Sequence, residues 1–346
     1  MKQRNYSLDV VRLAMALIVV VCHVNFAVEG DFLIHQFVAR FSPRIAVSFF
    51  FAMSGYYYIK SIDKPGVFKK QLKSLLSVYV AWTVVYYTAS FVDNIILEGG
   101  DLGQFLVQRV VFFFTEGSYA HFWFFTAMIY AVLLSTLFYK WMGKKGISIL
   151  AVLSLIFFVI GNLGSSYYDI GEHIPVLNVL YGQYSEVFFI LRGILCMGLP
   201  YFMMGYFIQL VEERLFSMNI KKYLILYVVG SVLYIAEIVL IVLGVRGTER
   251  PEVFIMLYPM TFLILGLLLR NPMPKWEKIA PFCKRMSGFI YYVHPLLILI
   301  FEIVAGILNV SISSYLMYVL VIGTAWIGGL VLFKLSKKIK ILKYLG

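Results

Sequence analysis

Arg12 and His23 stand inside one apolar run, LDVVRLAMALIVVVCHVNFAV over residues 8–28, and their types and spacing suit acid–base chemistry on an anionic substrate. On an α-helix, eleven residues turn through about 1100°, roughly 20° past three turns, and rise about 16.5 Å. The guanidinium and the imidazole therefore share one face, with a cation at one level and a titratable base further along. Asp9, fourteen residues before His23, falls within about 40° of the same line. Cys22 points about 100° away from His23, which suits packing better than nucleophilic attack. Ionisable groups facing lipid are costly at membrane depth, so such a column predicts a protein interior or a wet cavity on that face. Taken singly, Arg12 also reads as a residue snorkelling to the inner surface, and His23 as a packed histidine. Their alignment favours a chemical axis.

Other polar groups interrupt the apolar runs. Arg192, in VFFILRGILCMGLPYFMMGY, reads as a fixed cation facing a cavity, as a group snorkelling outwards, or as the partner of Glu186. Glu237 and Glu302 each call for a polar group on a neighbouring helix. His294 precedes Pro295, where a helix distorts, and reads as a kink residue or as a polar wall of the site. Lys70 and Lys73 in FKKQLKSLLSVY lie three apart, on one face of the turn entering a span. Positive-inside anchoring explains them; a phosphate clamp near the Arg12 end of the column is the sharper reading.

The elements that must hold these groups are membrane helices. The 346 residues are 61% hydrophobic and 14% charged, which excludes an ordinary soluble domain. Apolar runs predict an all-α, polytopic transmembrane helical bundle of about ten spans, at 8–28, 44–62, 74–94, 119–139, 147–163, 186–210, 223–244, 253–269, 287–307 and 314–333. Leu102–Thr115 is shorter and more mixed, and predicts an interfacial or re-entrant helix. Segments 1–7, 60–73, 140–146, 211–222, 270–286 and 334–346 hold 23 of the 30 Lys and Arg residues. The opposite loops hold only Arg40, Arg44, Arg109, Arg246 and Arg250. That bias places both termini in the cytoplasm. It also accounts for the net charge of +12, so nucleic acid is not an expected partner.

Lys2 and Arg4 precede a run too long for a signal peptide, with no small-residue cleavage site after it. Cys22, Cys196 and Cys283 are dispersed, so neither a disulfide framework nor a metal is expected. No repeat or linker divides the chain. A single integral membrane domain over 1–346 is expected, with 334–346 a basic cytoplasmic tail on anionic membrane lipid. The polar interruptions 95–118 and 162–185 are expected outside, where each can cover an outward mouth.

Six segments together resemble the acyltransferase type 3 membrane family, which moves acyl groups onto cell-surface sugars and other envelope molecules. RNYSLDVVRLAMALIVVVCHVNF carries that family's Arg, ten residues, then His, at Arg12 and His23. RIAVSFFFAMSGYYYIK resembles its Arg–aromatic–Ser-Gly second span, with Arg44 and Ser54. KQLKSLLSVYVAW occupies the place of an Arg-x-x-Arg motif but has Lys70 and Lys73. Lysine keeps the charge and loses the planar bidentate fork. HFWFFTAMIYA (His121, Trp123), GLPYFMMGY (Pro200, Gly205) and IYYVHP (Tyr292, His294) follow in order. RNYSLDVVR and ARFSPRIAVSFFFAMSGYYY also resemble the membrane half of vancomycin-resistance serine racemases, a half associated with amino-acid transport. The chain is expected to be that membrane part alone, without a racemase or esterase-like domain.

The resemblance implies an integral enzyme of the bacterial cytoplasmic membrane, an acyltransferase transferring groups other than aminoacyl groups, of the O-acetyltransferase type. It implies a cytosolic acyl-coenzyme A donor, acetyl-coenzyme A first, and a hydroxyl acceptor on an envelope glycan or lipid-linked sugar. The expected outcome is polysaccharide O-acetylation. The nucleotide end would meet Arg12, Lys70 and Lys73, and the pantetheine arm would lie along the column with its thioester near His23. His23 would serve as general base or as an acyl-histidine relay; both stay open. Asp9 would position Arg12, while Ser54, Tyr292 or Arg192 donates to the thioester oxygen. Arg44, His121, Trp123 and His294 complete the polar candidates. Two other classes stay open. A transporter of a small polar solute such as serine also needs polar groups at mid-depth, although no inverted repeat or matched pair of broken spans is visible. A structural or receptor-like membrane protein would tolerate loss of Arg12 and His23. No motif speaks to the oligomeric state.

Overall fold

The structure, a computed structural model, describes residues 5–24, 42–97, 99–183, 191–243 and 252–345. No β-strand occurs among the described residues. A bilayer core offers backbone groups no water, and apolar runs answer by closing their hydrogen bonds within helices. In chain order these are α1 (Tyr6–His23), α2 (Ser42–Ile59), α3 (Val67–Phe91), α4 (Leu102–Phe114), α5 (Trp123–Leu163), α6 (Tyr168–Gly171) and α7 (Pro175–Gln183). After them come α8 (Leu199–Leu210), α9 (Glu212–Ser217), α10 (Ile220–Val242), α11 (Leu257–Arg270), α12 (Ala280–Leu308) and α13 (Ser314–Leu335). Wider π-helical turns extend α3 over Val92–Leu97 and precede α8 over Arg192–Gly198.

Seven stretches among the described residues are long and apolar enough to cross a membrane. They are Tyr6–His23, Val67–Ile96, Ala120–Leu163, Arg192–Leu210, Ile220–Ile241, Ala280–Leu308 and Ser314–Leu335. The expected segments 119–139 and 147–163 share one of them. A straight helix the length of α5 would measure about 62 Å, twice a hydrocarbon core. It is instead broken at Met142 and Gly143, beside Lys140, Lys144 and Lys145. Gly143, at φ 58° and ψ −139°, takes a conformation that a Cβ opposes. Expected segment 44–62 folds as α2, where Pro43, Arg44 and Tyr56–Tyr58 dilute the apolar run. Segment 253–269 folds as α11, whose 14 residues rise only about 21 Å. The expected short helix is α4, capped by Asp101, whose carboxylate accepts from the Gln104 N–H at 2.5 Å. Span ends 25–28, 186–190 and 244, and Lys2, Arg4, Arg40, Glu186, Arg246 and Arg250, lie outside the described residues.

Contacts gather the helices into two compact units, Met1–Val47 with Leu267–Gly346, and Ser48–Gly266. In the first, α1 packs chiefly on α12. Leu8, Met15, Ala16, Val19 and Val20 recur at helical spacing and are buried. A polar joint at the start of α1 sets its register. The Asn5 side chain accepts from the Leu8 N–H at 3.2 Å, and its amide donates to the carbonyls of Leu268 at 2.8 Å and Leu269 at 3.2 Å. The Ser7 hydroxyl also donates to Leu268 at 3.0 Å, and the Tyr6 N–H to Pro272 at 3.0 Å. One asparagine thus caps the first turn of α1 and supplies donors to last-turn carbonyls of α11, which have no partners within their own helix.

In the second unit, α5 packs on α8 and on its preceding π turn. There α2 crosses α8 at backbone contact: a Cβ at Gly55 would overlap the Phe202 carbonyl, and one at Gly205 would overlap the Tyr56 nitrogen. Buried hydroxyl pairs Ser48–Thr261 (2.7 Å) and Tyr58–Thr136 (2.5 Å) tie further helices together. Buried Glu237 of α10 accepts from the Tyr167 hydroxyl at 2.5 Å and from the N–H groups of Ile255 at 2.7 Å and Met256 at 2.8 Å. Its carboxylate anchors the approach to α11, meeting the membrane-buried charge with three donors.

Candidate functional site

Six of the polar candidates fall in the first unit. Arg12 and His23 lie on one unbroken helix, so the shared face and the rise of about 16.5 Å hold as worked from the sequence. His23 is the last residue of α1, capped by Val24. Asp9 is buried and pairs with Arg12 at 3.5 Å. The Arg12 side chain stays 27% exposed, so its charge is not used up by the carboxylate. Tyr292, on α12, falls in the same unit. Arg44, near the start of α2, also falls in this unit. His294 is fully buried on α12, and its ring lies 4.9 Å from that of His23, the planes inclined at 54°. The unit thus gathers an aspartate-held cation, a tyrosine hydroxyl and two imidazoles in contact. Such a set can hold an anion at one level and handle a proton at another.

The remaining candidates fall in the second unit. Ser54 is partly buried on α2, beside the Gly55–Gly205 crossing. Lys70 and Lys73 are exposed in the opening turns of α3, where solvated cations suit phosphate or anionic headgroups alike. His121 is buried in an aromatic cage, with ring centroids at 5.2 Å to Tyr86, 5.9 Å to Tyr119 and 4.0 Å to Phe122. Trp123 packs on Phe51 at 5.9 Å. Arg192 opens the π turn and pairs with Glu252, which lies sixty residues away.

Two of these features were not foreseen. Of the alternatives the sequence offers for Arg192, pairing with Glu186 falls outside the described residues, and none of them includes Glu252. The signal was available: Glu252 is an acidic group next to Pro251, at the threshold of an apolar helix. The contact between His23 and His294 was also missed, because 271 positions separate them and no local pattern joins α1 to α12. Among the described residues, no group of three His, Cys, Asp or Glu side chains is placed to hold a metal ion.

Comparison with known proteins adds the family context. Residues 5–334 match the family described as an acyltransferase domain. The chain is 26% identical over 359 residues to a protein named amino-acid racemase from Enterococcus faecalis, covering 99% of this chain and 48% of that protein. It is 24% identical over 311 residues to one named serine/alanine racemase from Enterococcus gallinarum, covering 84% of this chain and 40% of that one. The chain spans about half the length, or less, of these curated relatives. No solved structure matches it.

Proposed function

The chain belongs to the acyltransferase-domain family matched over residues 5–334, and on that premise we propose that it moves an acyl group, acetyl first, from cytosolic acyl-coenzyme A to a hydroxyl of a cell-envelope carbohydrate. The proposal takes one membrane domain with about ten crossings and both termini in the cytoplasm, as the lysine and arginine bias supports. The observation that carries it is the column on α1. Arg12, held by Asp9, offers a cation to a phosphate of the donor, and His23 lies about 16.5 Å further along the same face. An extended pantetheine arm suits that span. Lys70 and Lys73 keep a phosphate-binding role on the strength of their motif.

In the proposed step His23 takes the proton of the acceptor hydroxyl while its oxygen bonds to the acyl carbon. The carbon–sulfur bond then breaks, and the leaving thiolate recovers that proton from the imidazolium. Of the donors read from the sequence, Tyr292 shares a unit with His23, and the proposal gives it the thioester oxygen. Arg192 is engaged by Glu252, which counts against it for that task. The test is His23→Ala in purified protein, with thiol release from acetyl-coenzyme A as the readout. Loss of transfer at unchanged membrane expression is expected; retained transfer would remove His23 from the mechanism. Mass spectrometry of envelope glycans from cells with and without the protein would identify the acceptor.

A second reading is passage of a small polar solute such as serine, the amino acid in one relative's name, serine/alanine racemase, a name that itself states racemisation. Uptake of serine into proteoliposomes without any acyl donor would support it over acyl transfer.

A further inference from the structure

Pro295 has no N–H, so the carbonyl of Tyr291, four residues earlier, loses its helical donor. In a membrane helix such an orphan is costly. His294 fills the gap. Its Nδ1 lies 2.9 Å from the Tyr291 carbonyl and 3.1 Å from that of Ile290. A carbonyl oxygen can only accept, so Nδ1 must carry the ring proton. The lone pair of the neutral ring then sits on Nε2, a tautomer dictated by the next residue in the chain. This ring is fully buried, and its centroid is 4.9 Å from that of His23. The structure shows the rings in contact without an N–H···N bond at Nε2; a turn of the His23 side chain, at the end of α1, would bring one of its N–H groups onto that nitrogen.

We propose that His294 is a positioning residue for His23. Its Nε2, kept as an acceptor by the His-Pro arrangement, takes the N–H of His23 and leaves the other His23 nitrogen with its lone pair toward the substrate. The proposal rests on the reading of His23 as general base. It gives the base an orienting partner that decides which nitrogen works, as catalytic imidazoles require. His294 touches no reacting atom in this scheme.

A purely structural His294 would only patch the Tyr291 carbonyl, and substitutions separate the two roles. His294→Asn keeps an amide N–H where Nδ1 stood and deletes Nε2. Wild-type expression and an unchanged KM for acetyl-coenzyme A are expected, with kcat lowered roughly tenfold to a hundredfold, the usual worth of an orienting partner. Modification of His23 by diethyl pyrocarbonate, followed by mass spectrometry of the α1 peptide, should slow severalfold. The double variant His294→Ala with Pro295→Ala returns a backbone N–H to the Tyr291 carbonyl without any imidazole, and should show the same losses. Wild-type kcat and wild-type His23 reactivity in either variant would overturn the proposal. The reagent reads the His23 ring whatever the reaction is, so the two readings fail separately. If His23→Ala keeps transfer while His294→Asn slows modification, the acyltransfer role of His23 falls and the positioning stands. If His23→Ala abolishes transfer while His294→Asn changes nothing, the positioning alone falls.

Discussion

Replacing Asn5 by Asp keeps a side-chain oxygen at the start of α1 and removes the amide N–H. As caps for a helix N-terminus the two residues are about equal, so the bond to the Leu8 N–H should survive. The bonds to Leu268 at 2.8 Å and Leu269 at 3.2 Å should not. Each is worth about 1 kcal/mol. A carboxylate there opposes the dipole at the C-terminal end of α11 but is favoured as much, by about 0.3–1 kcal/mol, at the N-terminus of α1, so the two terms offset each other. Asn5→Asp should therefore destabilise by about 2 kcal/mol, and Asn5→Ala by about 3 kcal/mol, because it loses the cap of about 1 kcal/mol as well. The assay is the thermal unfolding midpoint of wild type, Asn5→Asp and Asn5→Ala in one detergent. All three are compared at one scan rate, since such unfolding is usually irreversible. An Asp variant within about 0.5 kcal/mol of wild type, beside a clearly weakened Ala variant, would refute the two-way joint and leave Asn5 an ordinary cap.

Arg12→Ala should raise the KM for acetyl-coenzyme A about tenfold to a hundredfold, the worth of a charge-assisted contact, while KM for the acceptor stays put; steady-state kinetics with each substrate varied would show it. Glu237→Gln leaves one of the Ile255 and Met256 N–H groups facing an amide nitrogen, and should cost about 2–3 kcal/mol, read as a lowered melting midpoint. Gly143→Ala should cost about 1–2 kcal/mol from backbone strain alone, because nothing lies within 4 Å of the added carbon. The same change at Gly306, inside α12 and equally open, should be neutral or stabilise by up to about 1 kcal/mol.

The helices were legible because membrane spans announce themselves locally, as apolar runs bounded by charge. The break in α5 was readable for the same reason, since Lys140, Lys144 and Lys145 cannot sit in lipid. The alignment of Arg12 with His23 needed only helical geometry. What composition could not reveal was which helix meets which. Lipid tails are as apolar as leucine, so helix pairing in a membrane is chosen by close packing and isolated polar bonds rather than by hydrophobicity. Those bonds join residues distant in sequence: Asn5 to Leu268, Glu237 to Tyr167, Arg192 to Glu252. Glu237 was expected to need a polar group on another helix. That it would hold two backbone N–H groups could not be foreseen, because a backbone donor has no signature in the side-chain sequence.

The touching backbones of α2 and α8 have a consequence for Ser54. A side chain at a helix crossing acts as a shim, and evolution tunes spacing by exchanging shims. Gly55 and Gly205 leave no shim to exchange, so the distance of Ser54 from α8 is pinned by main-chain sterics. Even a methyl group at Gly205, about 150 positions downstream, would lift the serine from its place without altering one atom of it.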